Sequence, residues 1–190
     1  MFAALLSEPA AIFVEVLVAF YEARGGSPYG PERVTQLEHA LQCATLAEAE
    51  GASDELVAAS LLHDLGHLNP VRRGGPEDAD VDDRHEYRAL HQLRRHYGEA
   101  VLGPIRLHVA AKRYLCGSRP GYLELLSPAS RRSLEKQGGA LTLEEARLFL
   151  RDPHARDAVR LRIWDDRAKI PGVKTPDLRH FSAHLLRCAL

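Results

Sequence analysis

Leu61-Leu62-His63-Asp64-Leu65-Gly66-His67 decides how the rest of this chain is read. Its apolar residues continue a helical pattern, yet it carries two adjacent ionisable groups. On a helix, His67 falls one turn on from His63 and on the same face. Burying such groups costs several kcal/mol, on the order of a lost hydrogen bond or more, unless each is paired or bound to a metal. A purely structural role would need a buried partner for every one of them. Working outward, the pattern stays helical. Ile12, Phe13, Val16, Leu17 and Phe20 keep i, i+3/i+4 spacing, as do Leu37, Ala40, Leu41, Ala44 and Ala47. Breaks fall at Gly25-Gly26-Ser27-Pro28, at Gly51 before the cap candidates Ser53 and Asp54, and across Pro70 to Asp83. Further helical patterns run over 84–97, 99–116, 127–137, 142–150, 153–169 and 177–189. With no period-2 alternation and no long repeat, the expected fold is all-α, a compact helical bundle.

The chain has 190 residues, 45% of them hydrophobic, enough for one domain over 1–190 that folds without a disulfide or structural metal. A metal bound here is therefore expected to serve function. Lys and Arg number 25 against 26 Asp and Glu, and no long basic face is present, which argues against nucleic acid as a partner. Cys43, Cys116 and Cys188 are far apart and form no CxxC pair, so neither a disulfide framework nor a thiolate zinc site is suggested, and a reducing cytoplasm fits. The apolar stretch from Ala10 to Phe20 contains Glu15, follows no basic segment and is too short to span a bilayer, so neither a signal peptide nor a membrane span is expected.

Ten histidines are the compositional anomaly. His39 lies on the helix preceding the heptapeptide, His85 closes the loop Asn69–Arg84, and His108 sits between Leu107 and Val109. Asp165 follows Ile163-Trp164. A histidine in an apolar run is more telling than one among charges. On that ground His91, His96, His154, His180 and His184 are expected at the surface. The Asn69–Arg84 loop is long for a helical domain and reads either as a lid or as disorder.

The pattern His39, His63-Asp64, Asp165 resembles the HD-domain superfamily, and His63-Asp64-Leu65-Gly66 resembles its HDIG variant. In that superfamily two further histidines between HD and the last Asp hold a second metal, and His85 and His108 fit the interval. Further segments narrow the likeness: Ser27-Pro28-Tyr29-Gly30-Pro31-Glu32 leading to His39, His108 with Lys112, Leu126-Ser127-Pro128-Ala129-Ser130, and Arg162-Ile163-Trp164-Asp165 followed by Lys169. Together, over about residues 27–170, they resemble the HD-domain proteins of phosphonate-degradation operons, the PhnZ-type mixed-valent diiron oxygenases related to myo-inositol oxygenase.

The resemblance implies two iron ions, Fe(II)/Fe(III), with O2 as co-substrate. One iron is held by His39, His63, Asp64 and Asp165, the other by Asp64, His85 and His108, with Asp64 bridging. Asp166 offers a neighbouring carboxylate, and Asp165 is preferred because Lys169 lies four residues on, as in the related oxygenases. The implied reaction cleaves the carbon–phosphorus bond of a 1-hydroxy-2-aminoethylphosphonate, with a free amine or an N-trimethyl group, giving phosphate and glycine or glycine betaine. Lys112 and Arg162 are spaced from His108 and Asp165 to clamp the phosphonate. Ser130 near a helix N-terminus adds its hydroxyl and backbone donors, and His67 acts as a substrate hydrogen-bond donor. Tyr29 and Glu32 match a gate whose tyrosine substrate displaces. The competing reading keeps the metals and makes the chain a dinuclear phosphohydrolase of a nucleotide or phosphate ester, which the 6% aromatic content weakly disfavours. A silent ligand-binding module would require missing ligands. The expected partner is a small hydroxyphosphonate, with no obligate protein partner.

Overall fold

A computed structural model describes residues 10–68 and 84–190. Among them the chain forms helices with no strand, only two isolated bridges, Pro28 with Thr35 and Tyr97 with Ala189. The all-α expectation holds. The lid-or-disorder question over Asn69–Arg84 lies, except for Arg84, outside the described residues.

The helices are α1 (Ala10–Arg24), α2 (Gln36–Ala49), α3 (Asp54–Leu62), α4 (His85–Leu93), α5 (Glu99–Ser118), α6 (Tyr122–Leu125), α7 (Pro128–Lys136), α8 (Leu143–Phe149), α9 (Ala155–Arg167) and α10 (Leu178–Cys188). Their starts follow local chemistry. Thr35 and Glu38 close a reciprocal capping box on α2, and Ser53 caps α3 through the Leu56 amide. Ser127 caps α7, where Pro128 begins the first turn and loses no hydrogen bond by lacking an N–H.

Burial then orders the bundle. Phe13, Leu17 and Tyr21 of α1, Leu56, Leu61 and Leu62 of α3, Ile105 of α5, Leu161 and Trp164 of α9 and Phe181 of α10 share one core. Helix α5 runs along α9 and also packs on α3, while α2 packs on both α3 and α9. The four helices that converge on each other carry His39, His63, His108 and Asp165 on, or just past, their inward faces.

Two expectations need correction. The heptapeptide is not one continuous α-helix: α3 ends at Leu62, His63 and Asp64 form a turn, and Leu65–Leu68 make a 3₁₀ helix. The backbone breaks where a second chain segment comes close, since a β-carbon on Gly66 would lie 2.0 Å from the His85 carbonyl oxygen. His96 is not a surface residue. It is buried and stacks on Phe13 with ring centroids 3.6 Å apart, because α1 covers the turn after α4. His91 and His180 are exposed, and His154 and His184 are half-buried.

Candidate metal centre and its cavity

Four imidazoles and two carboxylates meet below one cavity. His39 comes from α2, His63 and Asp64 from the turn after α3, His85 from the first residue of α4, His108 from α5 and Asp165 from α9, and all six are buried. His39 Nε2 lies 3.3 Å from His63 Nε2 and 3.6 Å from Asp165 Oδ1. His85 Nε2 lies 3.0 Å from His108 Nε2. Asp64 stands between the pairs: Oδ2 is 3.3 Å from His63 and 3.7 Å from His39, while Oδ1 is 3.3 Å from His85 and 3.7 Å from His108.

The far side of each ring shows what these nitrogens are for. His39 Nδ1 donates to the Ala168 carbonyl at 2.8 Å, His63 Nδ1 to the Ser60 carbonyl at 2.9 Å and His108 Nδ1 to the Ile105 carbonyl at 2.7 Å. A carbonyl can only accept, so these rings carry their proton on Nδ1 and turn the Nε2 lone pair toward the cluster. Anchoring the outer nitrogen on a carbonyl is how metal-binding histidines are oriented. Burial pushes the His39 pKa down to about 4 and that of His108 well below the ordinary value, which keeps both neutral. For His63 burial also opposes protonation, but the Asp64 carboxylate outweighs it and raises the pKa, so a proton and a metal cation would compete for this ring.

Asp64 Oδ1 and Asp165 Oδ1 are buried and accept no hydrogen bond. Such oxygens cost free energy unless a cation meets them. Facing lone pairs about 3 Å apart, together with Asp64 Oδ1 and with Asp165 Oδ1, whose nearest cation is Lys169 Nζ at 3.6 Å, fit a site for divalent cations that these six residues would hold. The close passage at Gly66 sets the position of His85, and Arg84, the residue before it, takes a left-handed conformation at φ 45°.

Above the cluster opens a cavity of about 430 Å³. Lys112, Ser130, Ser133, Arg162 and Lys169 line it together with Tyr29, Glu32 and His67. Lys112 is buried and donates to Ser133 Oγ at 2.6 Å. Burial first, and the neighbouring charge of Arg162 second, push its pKa down to about 7. Arg162 pairs with Asp165 at 2.7 Å and through Nε with Asp166 at 2.9 Å. Asp166 also accepts from the Tyr122 hydroxyl, so of the adjacent carboxylates only Asp165 faces the imidazoles.

Tyr29 is half-buried, stacks on the His39 ring at 3.9 Å and donates to Asp64 Oδ2 at 2.8 Å. Glu32 is half-buried on the same loop, which is closed by the Tyr29 amide on the Val34 carbonyl. His67 is exposed, stacks on His85 and has Nε2 3.9 Å from Asp64 Oδ1. Ser130 presents its hydroxyl, which accepts from Lys169 Nζ at 3.0 Å. Its backbone N–H is already given to the Ser127 cap, which corrects the expectation that this amide serves an anion.

Lys169 and Ser133 are cavity residues that the sequence reading passed over. The first served only as a marker for Asp165, although i+4 spacing puts it on the same face. The second stands three residues after Ser130, a spacing that carried the same signal.

No family model matches the chain. A hydroxymethylphosphonate dioxygenase of Gimesia maris is 44% identical to it over 164 residues, covering 86% of this chain and 82% of that protein. A glycine-betaine-forming 1-hydroxy-2-(trimethylamino)ethylphosphonate dioxygenase of Leisingera caerulea is 36% identical over 174 residues, covering 92% and 89%.

Proposed function

The chain belongs to the hydroxyphosphonate dioxygenases, and from that membership we propose that it uses O2 and two iron ions to cleave the carbon–phosphorus bond of a 1-hydroxy-2-aminoethylphosphonate-type substrate. The observation that carries this reading is the set of four Nε2 atoms around Asp64 and Asp165, roofed by a cavity with four cationic side chains, those of Lys112, Lys136, Arg162 and Lys169. His39, His63, Asp64 and Asp165 hold one iron, and Asp64, His85 and His108 the other. Iron there supplies the one-electron chemistry with O2 that redox-inactive zinc or magnesium cannot.

The remaining residues bind and orient. Lys112, Arg162 and Lys169, with the Ser130 and Ser133 hydroxyls, receive the phosphonate dianion through charge-assisted hydrogen bonds. Their own partners are hydroxyls and carboxylates already in the wall, so little reorganisation accompanies binding. Tyr29 gives up its hydrogen bond to Asp64 as substrate enters. Among the lining carboxylates Glu32 alone stands outside the imidazole cluster, and its charge suits a cationic nitrogen on the substrate. His67, at the cavity mouth, is placed to donate to the substrate. The balance is R–CH(OH)–PO3²⁻ + O2 → R–COO⁻ + HPO4²⁻ + H⁺: the C1–H and C–P bonds break, C1 is oxidised to a carboxylate and O2 is the oxidant. Lys112, with its pKa near 7, can hold a proton beside the departing phosphate.

The test is phosphate release by iron-loaded enzyme, with and without O2, from (R)-2-amino-1-hydroxyethylphosphonate, its N-trimethyl analogue and hydroxymethylphosphonate. Phosphate formed only in air and matched by glycine or betaine is the expected result. Equal release without O2 would make the enzyme a hydrolase, and release from hydroxymethylphosphonate alone would remove the role given to Glu32.

A further inference from the structure

On a different face of the molecule, the last helix is tied to the α2–α3 junction by a second knot of imidazole and carboxylate. His180 and His184 lie one turn apart on α10, and both aim Nε2 at Glu48 near the end of α2. The distances to Glu48 Oε1 are 2.8 Å from His180 and 2.9 Å from His184, and the donor atoms of all three residues lie within 4.8 Å of one another. The other nitrogen of His184 is 2.6 Å from Asp54 Oδ1, and Asp54 is in turn bridged by Nε and Nη2 of Arg187 at 2.6 and 2.7 Å. None of these residues lines the cavity above the catalytic cluster.

We propose that Glu48, His180 and His184 form a zinc site that pins α10 to the end of α2, with Asp54 at the start of α3 holding His184 in place. Two imidazoles and one carboxylate are a zinc donor set, and i, i+4 histidines on a helix with a carboxylate from a neighbour are a common way of assembling it. His184 is already oriented as a ligand requires: Asp54 accepts from Nδ1, which turns Nε2 toward the site. Arg187 neutralises Asp54, so that carboxylate stays a hydrogen-bond acceptor and does not compete for the metal. Tetrahedral zinc with bonds of about 2.0–2.1 Å sets its donors roughly 3.3 Å apart. The observed 2.8 and 2.9 Å mean that Glu48 must draw back from each imidazole by only about half an ångström, and all three donor atoms already lie within 4.8 Å of one another. His180 is 45% exposed, which gives the metal a path in and leaves the fourth position to water. The site serves stability, since a ligand bound by the folded chain alone raises the cost of unfolding.

The experiment is equilibrium dialysis of the iron-loaded enzyme against micromolar zinc, with zinc and iron per chain measured together. The expected result is one zinc per chain with iron unchanged, at least tenfold weaker zinc binding in His180→Ala and in Glu48→Gln, and turnover like wild type in both. Asp54→Asn should weaken zinc about tenfold by loosening His184. The melting temperature should rise with zinc in the wild type and not in His180→Ala. Because His180 is exposed, that variant is expected to fold, and Glu48→Gln keeps the shape of its side chain. Absence of bound zinc, zinc retained equally by the variants, or zinc gained only as iron is lost would each overturn the proposal.

Discussion

Gly66→Ala tests whether the metal centre depends on the contact between the two chain segments that cross beside it. The added methyl would stand 2.0 Å from the His85 carbonyl oxygen and 2.8 Å from its carbon. Ordinary contact begins near 3.4 Å, so the first residue of α4 must retreat by more than an ångström. His85 Nε2 now sits 3.3 Å from Asp64 Oδ1 and 3.0 Å from His108 Nε2, and the same retreat takes it out of reach of a shared metal. His39 and Asp165 come from α2 and α9 and keep their places, and His63, on the Gly66 segment, is still held by its bond to the Ser60 carbonyl. On the proposed two-iron reading, iron should therefore fall from two per chain to about one. Turnover should fall at least roughly 100-fold, the usual effect of misplacing a reacting group by about 1 Å. Overpacking should cost about 1–3 kcal/mol of stability, read from urea unfolding. Gly103→Ala is the control: its methyl would strike the His154 ring at 2.4 Å, away from the cavity, so it should destabilise the chain with iron and turnover retained. Two irons per chain and turnover within twofold of wild type in Gly66→Ala would refute the reasoning.

Lys112 carries its charge below about pH 7 in the free enzyme, so kcat/KM for a phosphonate should fall as pH rises through 7, and Lys112→Arg should extend the plateau upward; a flat wild-type profile from pH 6 to 9 would exclude the clamp. The same depressed pKa means that between about 7 and 10.5 the unfolded chain holds a proton that the folded one lacks, so this residue's contribution to stability rises with pH across that window. Arg162→Leu takes from the buried Asp165 the closer of its two cations, leaving Lys169 at 3.6 Å, and should cost about 3–5 kcal/mol in chelator-treated protein, whereas a loss under 1 kcal/mol would show the pairing to be energetically idle. Tyr29→Phe removes a hydrogen bond to a carboxylate that substrate must break, worth about 1.5–3 kcal/mol, so substrate affinity measured by spectral titration should rise by tenfold or more; weaker binding would sink the gate.

Much of this was legible in the chain because its cues are local. The i, i+3/i+4 spacing of Leu37 to Ala47 and caps such as Ser53 mark helices without reference to anything distant. His108 stood out because Leu107 and Val109 flank it. Cues that depend on packing were silent. Nothing near His96 announces that Phe13 will cover it, and the arginines beside it suggest the opposite. The break after Leu62 was hidden because His63 and His67 keep a helical spacing whether or not the helix continues. Lys169 and Ser133 become partners of Ser130 and Lys112 only once α7, α5 and the end of α9 are brought together. The knot of Glu48, His180 and His184 joins residues at opposite ends of the chain, and each alone is an ordinary polar residue.

The carbonyls of Ala168, Ser60 and Ile105 hold the outer nitrogens of three of the four imidazoles. A side-chain anchor can be lost in one mutation, but every amino acid at positions 168, 60 and 105 supplies the same carbonyl. The orientation of these histidines is therefore inherited with the path of the backbone and is insulated from sequence drift. The cavity walls have no such protection, since Tyr29, Glu32, Ser133 and Lys169 act through their side chains. Over evolutionary time the oxidising centre and the pocket above it can change at different rates, which lets one metal-binding frame be refitted to new substrates by substitutions that never reach the metals.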